Sequence, residues 1–314
     1  MEKQKVSVAI PVFRNAASLD ELYAQLIAVA EEFFPDLDLE IIFTDDGSDD
    51  NSWDVIQRIQ RLDPKRVAAY KLSRNFGQLS AIISGVTRAT GDAVINMSAD
   101  LQDPTQLIGS MVRRWREGSE IVIAHRESRD DGFFNTITSK FAYRVARSAS
   151  PNMPDGGFDY FLMSRRAVTE LLKFQGRFRF IQGDLMWLGL PMSLIPYKRL
   201  ERKHGKSAYN FRKRFNMFVD LLVDSSYVPI RMMSRLGLFA ALGGLTYLFL
   251  IVASWLRGNT PFDGWSPIMV TILILNGLVM IMLGLIGEYL WRIHDQVRQR
   301  PMHIVEQGFP TDNK

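Results

Sequence analysis

The stretch "AVINMSADLQDP", residues 93–104, begins as a run of small and apolar residues and ends on Asp100, Gln102, Asp103 and Pro104. The apolar part has the pattern of a buried strand. The Asp-Pro pair that closes it has the form of a helix start, with an acid at the cap and proline at the first helical position. Asp103 is therefore expected to be a structural N-cap. Asp100 and Gln102 need another account. They offer two hard oxygen ligands, and alternate residues can converge where a strand ends. Mg²⁺ or Mn²⁺ prefers such ligands and keeps further positions for water and phosphates.

The same unit, an apolar run followed by a helical pattern, recurs through residues 1–126. Runs rich in Val and Ile stand at 6–13, 39–46, 67–73, 93–100 and 120–126. Between them, residues 18–34, 51–62, 77–89 and 104–117 have helical spacing. Nearly continuous apolar strands alternating with helices predict an α/β fold, a mostly parallel sheet covered on both faces. Ligands of such sheets bind beyond the carboxyl ends of the strands. Asp45, Asp46 and Asp100 all stand at such ends.

The chain has 314 residues, enough for one α/β domain of about 200 residues and further elements. There is no cysteine, which excludes a disulfide framework and thiolate metal ligation. The N-terminus, "MEKQKVSVAIPVF", has no signal-peptide core. Net charge is only +4, but eight Lys or Arg and one acid, Glu201, lie between Lys198 and Arg214. Leu236–Leu256 is 21 residues without a charge, and Ser266–Gly287 is 22 residues whose most polar member is Asn276. Each is long enough to span a hydrocarbon core of about 30 Å as a helix. The short link "RGNTPFDGW" (257–265) makes them a hairpin. Arg231 and Arg235 precede it and Arg292, Arg298 and Arg300 follow, so the positive-inside rule puts both termini and the large domain in the cytoplasm. Residues 210–235 mix Phe, Met, Leu and Val with Arg and Lys, the composition of amphipathic helices at a membrane surface or of a packed helical linker. The expected divisions are a domain at 1–209, juxtamembrane helices at 210–235, a hairpin at 236–290 with spans of about 236–256 and 266–288, and a cytoplasmic tail at 291–314.

Two nucleotide motifs are missing: no G-x-G-x-x-G follows the first strand, and no G-x-x-x-x-G-K-[ST] occurs. The second strand instead ends "TDDGSDDNS". A carboxylate pair before Gly-Ser can accept from a base N–H or a ribose hydroxyl, with Gly47 allowing close backbone approach. It can equally cap a helix. The four histidines have no metal-ligand spacing.

Taken in order, "IPVF", "DDGS", "LSRNFGQLSAIISG", "ATGDAVINMSADLQDP" and "GLIGEYLWRIHDQVRQRP" resemble the inverting family 2 glycosyltransferases of GT-A fold. Within them the chain is most similar to the polyprenyl-phosphate group, which includes dolichol-phosphate mannosyltransferases and bactoprenol glucosyltransferases. The resemblance spans roughly residues 5–303. It implies that Pro11 and Val12 line the base, that Asp45 contacts uridine beside Asp46, and that Arg74, Asn75, Gly77 and Ser98 border the nucleotide-sugar. It implies Asp100 and Gln102 as ligands of Mg²⁺ or Mn²⁺ on the diphosphate. It places Asp159 near the sugar as a catalytic carboxylate with Asp100. It also matches Arg202, Lys206 and Ser207, in "RKHGKSAYN", to a segment that grips the acceptor phosphate. Surface or turn roles for Arg74, Asp159 and the basic loop are the alternatives from the residues alone.

The implied reaction is transfer of one sugar, glucose by analogy, from a UDP-sugar to a polyprenyl phosphate such as undecaprenyl phosphate. The implied setting is the plasma (inner) membrane, with a homo-oligomer, a tetramer among the states the resemblance suggests, and no nucleic-acid partner. Extension of a lipid-linked glycan, and a catalytically inactive nucleotide-sugar-binding protein, are the alternatives. Three motifs depart from the family pattern: Arg14-Asn15 stands for Asn-Glu, Ser98 for the first Asp of Asp-Ala-Asp, and Phe161 for an arginine.

Overall fold

The computed structural model describes residues 3–126, 158–174, 179–200, 228–257 and 266–312. The first half alternates as the apolar pattern requires: β1 (Lys5–Val12), α1 (Leu19–Phe33), β2 (Asp38–Asp45), α2 (Ser52–Leu62), β3 (Val67–Leu72), α3 (Gln78–Arg88), β4 (Ala93–Asn96), α4 (Leu107–Arg116) and β5 (Ile121–Arg126). Then come β6 (Tyr160–Ser164), α5 (Arg165–Leu172), α6 (Ile181–Trp187), β7 (Met192–Tyr197), α7 (Val228–Leu256), α8 (Ser266–Val297) and β8 (Val305–Phe309).

The eight strands form one sheet in the order β7-β5-β6-β4-β1-β2-β3-β8. β1 runs parallel to β2 and β4, β2 to β3, and β5 to β7, while β6 and β8 are antiparallel to their neighbours. Helices cover both faces. Leu22, Leu26, Ile56, Ile59, Ile108 and Met111, from α1, α2 and α4, pack on one face. Ile82, Val86, Val168, Leu171 and Leu185, from α3, α5 and α6, pack on the other. Each fully buried Leu or Ile contributes about 1.5–3 kcal/mol by leaving water, so both layers are needed for a sheet whose strands are apolar on both sides.

Strand order reverses between β1 and β4, because β2 and β3 continue away on the far side of β1. That is the switch point at which open α/β sheets bind ligands. Pairing of β1 with β4 ends at Ala9 and Asn96, whereas pairing with β2 continues to Val12 and Asp45. β1 thus projects past its neighbour and opens a crevice. Pro11, which has no N–H to donate, stands where no β4 partner remains.

Two boundaries differ from the sequence reading. β4 ends at Asn96, not at residue 100, and α4 begins at Leu107 with Gln106 at its cap, not at Pro104. Asp103 is not that helix's N-cap. The polar residues from Ser98 onward bond to one another and to distant strands, which ends the ladder early. α7 and α8 contain the expected apolar segments and extend beyond them. Windows of 25 and 24 residues, Ile230–Ser254 and Ile274–Val297, are apolar enough to cross a membrane, and neither is buried in the protein. The link at 258–265 and most of the segment expected to be amphipathic, 210–227, lie outside the described residues.

Candidate functional site

The crevice has two walls. The first is the edge of β1 and β2. Asp45 and Asp46 are consecutive and both buried, yet they differ in use. Asp46 accepts from the backbone N–H of Phe76 at 2.7 Å and of Gly77 at 2.9 Å. It therefore clamps the loop 73–77. Asp45 accepts from the Ser48 N–H at 3.2 Å through Oδ2, while its Oδ1 is buried with no hydrogen-bond partner among the described residues. Burial raises the pKa of both acids. The Ser48 hydrogen bonds oppose it at Asp45, and the Phe76 and Gly77 N–H groups oppose it at Asp46.

Gly47, at φ +66°, packs directly under the loop. A Cβ there would lie 2.6 Å from the Arg74 carbonyl carbon and 2.7 Å from the Asn75 nitrogen. Arg74 and Asn75 are exposed on the loop's outer side, and the Arg74 guanidinium lies 4.3 Å from the Phe76 ring centre. Pro11 and Val12 form the end of β1 beside this pair, Val12 buried and Pro11 half-buried. Arg14, at φ +58°, closes the rim through a two-pronged ion pair with Asp49, both hydrogen bonds at 2.6 Å.

The second wall is the acidic turn after β4. Asp100 and Gln102 do not converge by strand alternation, because the strand has already ended. They are turned by Leu101, a non-glycine residue at φ +58° whose side chain is buried in the core. Burial of that side chain holds a backbone conformation that is otherwise unfavourable. Asp100 Oδ1 accepts from the Gln102 N–H at 3.2 Å, and Asp100 Oδ2 lies 3.6 Å from the Arg199 guanidinium. The Gln102 side-chain amide donates to the Leu200 carbonyl at 3.3 Å, and the Leu200 N–H donates to the Gln102 carbonyl at 3.0 Å. These contacts seat the start of the basic segment on the acidic turn.

Ser98 is half-buried between two carboxylates, with its hydroxyl 2.5 Å from Asp103 Oδ2 and 3.1 Å from Asp100 Oδ1. One hydroxyl hydrogen serves one of them, and the shorter contact assigns it to Asp103. Asp103 also accepts from the Tyr197 hydroxyl at 2.7 Å. Tyr197 in turn bonds Arg126, and burial with the nearby Asp103 charge pushes its phenol pKa up. Burial disfavours the Arg126 charge, but Tyr197, Asp159 and Asp103 outweigh it and raise its pKa.

Asp159 immediately precedes β6, next to this cluster. Solvent reaches it, but protein crowds the cleft around it, which raises its pKa; Arg126 opposes the shift. Its Oδ1 accepts from Gln182 at 3.0 Å. The structure thus brings Asp100, Gln102, Ser98 and Asp159 to one wall and Pro11, Val12, Asp45, Asp46, Arg74, Asn75 and Gly77 to the other. Arg202, Lys206 and Ser207 lie outside the described residues. The sequence reading missed Arg126, Gln182, Tyr197 and Arg199 as site residues, and took Asp103 for a cap. Arg126 closes an apolar strand and Arg199 belongs to the basic run, which are usable signals. Tyr197 and Gln182 carry none.

The donor set suits a hard divalent ion. Asp100 supplies a carboxylate and Gln102 an amide whose nitrogen is turned to the Leu200 carbonyl. Among the described residues no group of three or more His, Asp or Glu is placed to hold a metal. One carboxylate and one amide match an ion that takes its remaining ligands from water and phosphate, as Mg²⁺ does.

The glycosyl transferase family 2 sequence profile matches residues 7–172. The chain is 32% identical over 310 residues to an uncharacterized glycosyltransferase of Bacillus subtilis, covering 98% of this chain and 95% of that one. It is 32% identical over 307 residues to the SfII prophage-derived bactoprenol glucosyl transferase of Shigella flexneri, covering 97% and 98%. Its fold is similar to that of glucosyl-3-phosphoglycerate synthase from Mycobacterium tuberculosis, solved with Mn²⁺, UDP and phosphoglyceric acid, with a TM-score of 0.50, 16% identity, and coverage of 70% and 76%. With the profile covering both walls of the crevice and relatives aligned from end to end, the chain belongs to glycosyl transferase family 2.

Proposed function

We propose that this protein transfers one sugar, glucose in the first instance, from a UDP-sugar to a polyprenyl phosphate such as undecaprenyl phosphate in a membrane. The carrying observation is the contact of Arg199 and Leu200 with Asp100 and Gln102, which joins the basic segment to the acidic turn. A site for a nucleoside diphosphate and a site for a second phosphate then share one crevice. The reading is supported by the Shigella relative, a bactoprenol glucosyl transferase matched along 97% of this chain. It is also supported by two long apolar helices exposed along their length. On this reading they cross the membrane as a hairpin, with the catalytic domain in the cytoplasm.

In the donor half, Asp45 Oδ1 accepts the uracil N–H, and Pro11 and Val12 flank the base. Asp46 and Gly47 hold the loop of Arg74, Asn75 and Gly77 beside the nucleotide-sugar. Asp100 and Gln102 hold Mg²⁺ or Mn²⁺, which when bound supplies positive charge to the departing diphosphate. The Mycobacterium synthase of similar fold was solved with Mn²⁺ and UDP, which supports the use of a divalent ion with the donor.

In the acceptor half, Arg199 with Arg202, Lys206 and Ser207 grips the lipid phosphate by charge-assisted hydrogen bonds. A phosphate oxygen attacks the anomeric carbon from the face opposite the diphosphate. The new C–O bond forms as the bond to UDP breaks, UDP leaves with the electron pair, and the configuration inverts. A phosphate monoester, with its second pKa at about 6, is already largely ionised at neutral pH. No base is required, so Asp159 orients the sugar or the acceptor.

The test is a donor panel on the purified full-length protein in detergent, with undecaprenyl phosphate and Mg²⁺ or Mn²⁺. Metal-dependent glucosyl lipid and UDP in equal amounts from UDP-glucose are expected. Nucleotide binding without a sugar-lipid from any donor would overturn the reading, and transfer to a glycan acceptor alone would replace it.

A further inference from the structure

β8 does more than close a sheet edge. It pairs antiparallel with β3, from Ala69 opposite Phe309 to Leu72 opposite Val305. Just before it, the Ile304 carbonyl accepts from the Ser73 N–H at 3.0 Å, and the Ser80 hydroxyl lies 3.3 Å from the Met302 carbonyl and equally 3.3 Å from the Phe76 carbonyl, which share its one hydrogen. Ser73 begins the loop 73–77, and Ser80 lies in the first turn of α3. The segment therefore holds the loop at its start and lies against the helix turn that follows its end. Asp46 and Gly47 hold the same loop from within the crevice.

The segment is itself firmly seated. Met302 packs against the second core cluster. Gln307 accepts from the Trp53 indole N–H at 3.2 Å, and Phe309 stacks on Trp53 with ring centres 6.2 Å apart. Gly308 lies flat on Tyr70, where a Cβ would come within 2.8 Å of the ring. The Asp312 N–H reaches the Pro64 carbonyl at 2.8 Å. Only residues 298–301 separate this anchored segment from the end of α8.

We propose that residues 302–309 are a strap that positions the loop 73–77 for the nucleotide-sugar, so that the donor site depends on the segment that leaves the second apolar helix. The proposal rests on the reading of that loop as part of the donor site. The physical reason is entropic. A loop with Arg74 and Asn75 exposed, left with only its inner clamp, would have to be ordered by each incoming donor. A loop fixed at its start by the Ile304 carbonyl and at its end by Asp46 is ordered in advance. Trp53, Gln307 and Phe309 are positioning residues on this account: the last two belong to the strap, and Trp53 seats it.

The test uses the full-length protein in nanodiscs, with Gln307→Ala/Phe309→Ala as the main variant and Trp53→Phe as the milder one. Amide exchange is measured over 73–80 without nucleotide, and UDP affinity by calorimetry with Mg²⁺. Faster exchange in that window is expected in both variants. The UDP dissociation constant should rise about three- to tenfold, the size of one or two lost hydrogen bonds. The donor KM should rise with it, while kcat at saturating donor stays unchanged. Unchanged exchange in both variants would overturn the strap. Faster exchange with unchanged UDP affinity would overturn its link to the donor. Should the double variant fail to fold, Trp53→Phe decides by the same readouts. If the wild-type protein binds no UDP, the donor reading fails on its own, and exchange alone still decides whether the strap orders the loop.

Discussion

The two walls of the crevice are built by opposite means. On the β1–β2 side, neighbouring residues do the work. Asp45, Asp46 and Gly47 follow one another, and the partners that fix Asp46 are backbone N–H groups of a single loop. On the β4–β7 side, side chains from the ends of β5, β6 and β7 and from the turns after β4 and β7 meet. Asp100, Asp103, Asp159, Arg126, Tyr197 and Arg199 come from segments up to about a hundred residues apart and satisfy one another. The first wall is held by the backbone, so its geometry survives changes elsewhere. The second is a mutual arrangement of charges that no single member fixes. A binding pocket for an invariant nucleotide suits the first construction. A place where charge must shift during transfer suits the second.

That contrast breaks most visibly at Asp100. Replacing it with Asn keeps the shape and removes a full charge where the diphosphate would leave. Turnover should fall about 10²- to 10³-fold, the scale of losing one preorganised electrostatic contact in a transition state. UDP should still bind, because the β1–β2 wall is untouched. Steady-state rates against UDP calorimetry decide, and an equal loss of both would mean that the walls are not separable.

The next effect belongs to the first wall. Gly47→Ala places a Cβ 2.6 Å from backbone in a left-handed conformation. A cost of about 3 kcal/mol in stability is expected, from strain and loop displacement together. Denaturant unfolding measures it, and UDP affinity should fall in parallel. Tyr197→Phe probes the second wall more gently. It removes one donor from Asp103 and should cost about 1.5 kcal/mol, the lower range for a hydrogen bond to a charged group. The expected signature is lower turnover with UDP affinity unchanged. A loss of UDP affinity instead would place Tyr197 in the donor half.

The same contrast decides what could be read from the chain alone. Strand–helix alternation and the acids at 45, 46 and 100 are local patterns, and the sheet follows from them. The pairing of Gln102 with Leu200, or of Tyr197 with Asp103, joins positions nearly a hundred residues apart, and no periodicity reports it. β8 was legible only as part of a tail, because "VEQGF" is short and becomes a strand through the β3 edge it covers. The Asp103 cap failed for a related reason. A local propensity met two better partners, Ser98 and Tyr197, brought by the fold. Asp100 and Gln102 were expected to converge by strand alternation, but they lie in a turn through Leu101 at positive φ, and nothing in a Leu at that place announces it.

The smallest expected effect separates the two adjacent acids of the first wall. Asp45 is buried with one oxygen that has no hydrogen-bond partner among the described residues, and burial raises its pKa above the ordinary 3.8. A raised carboxyl pKa means that the folded state holds the proton more tightly than the unfolded one. Its contribution to stability is full below pH 3.8 and is lost as pH rises through the folded pKa, above which a buried charge opposes folding. Asp45→Asn removes that opposition. The free variant should therefore unfold at a higher temperature than the wild type at pH 7, and the difference should close as pH falls toward 4. UDP affinity should drop, because the carboxylate that would accept the base N–H is gone. Asp46→Asn provides the contrast, since one of its two backbone N–H partners would face an amide hydrogen, and it should lose stability at pH 7. Thermal scans across pH with and without UDP read both. If Asp45→Asn instead destabilises the free protein at pH 7, Asp45 is a clamp like its neighbour, and the base is recognised by other groups of that wall.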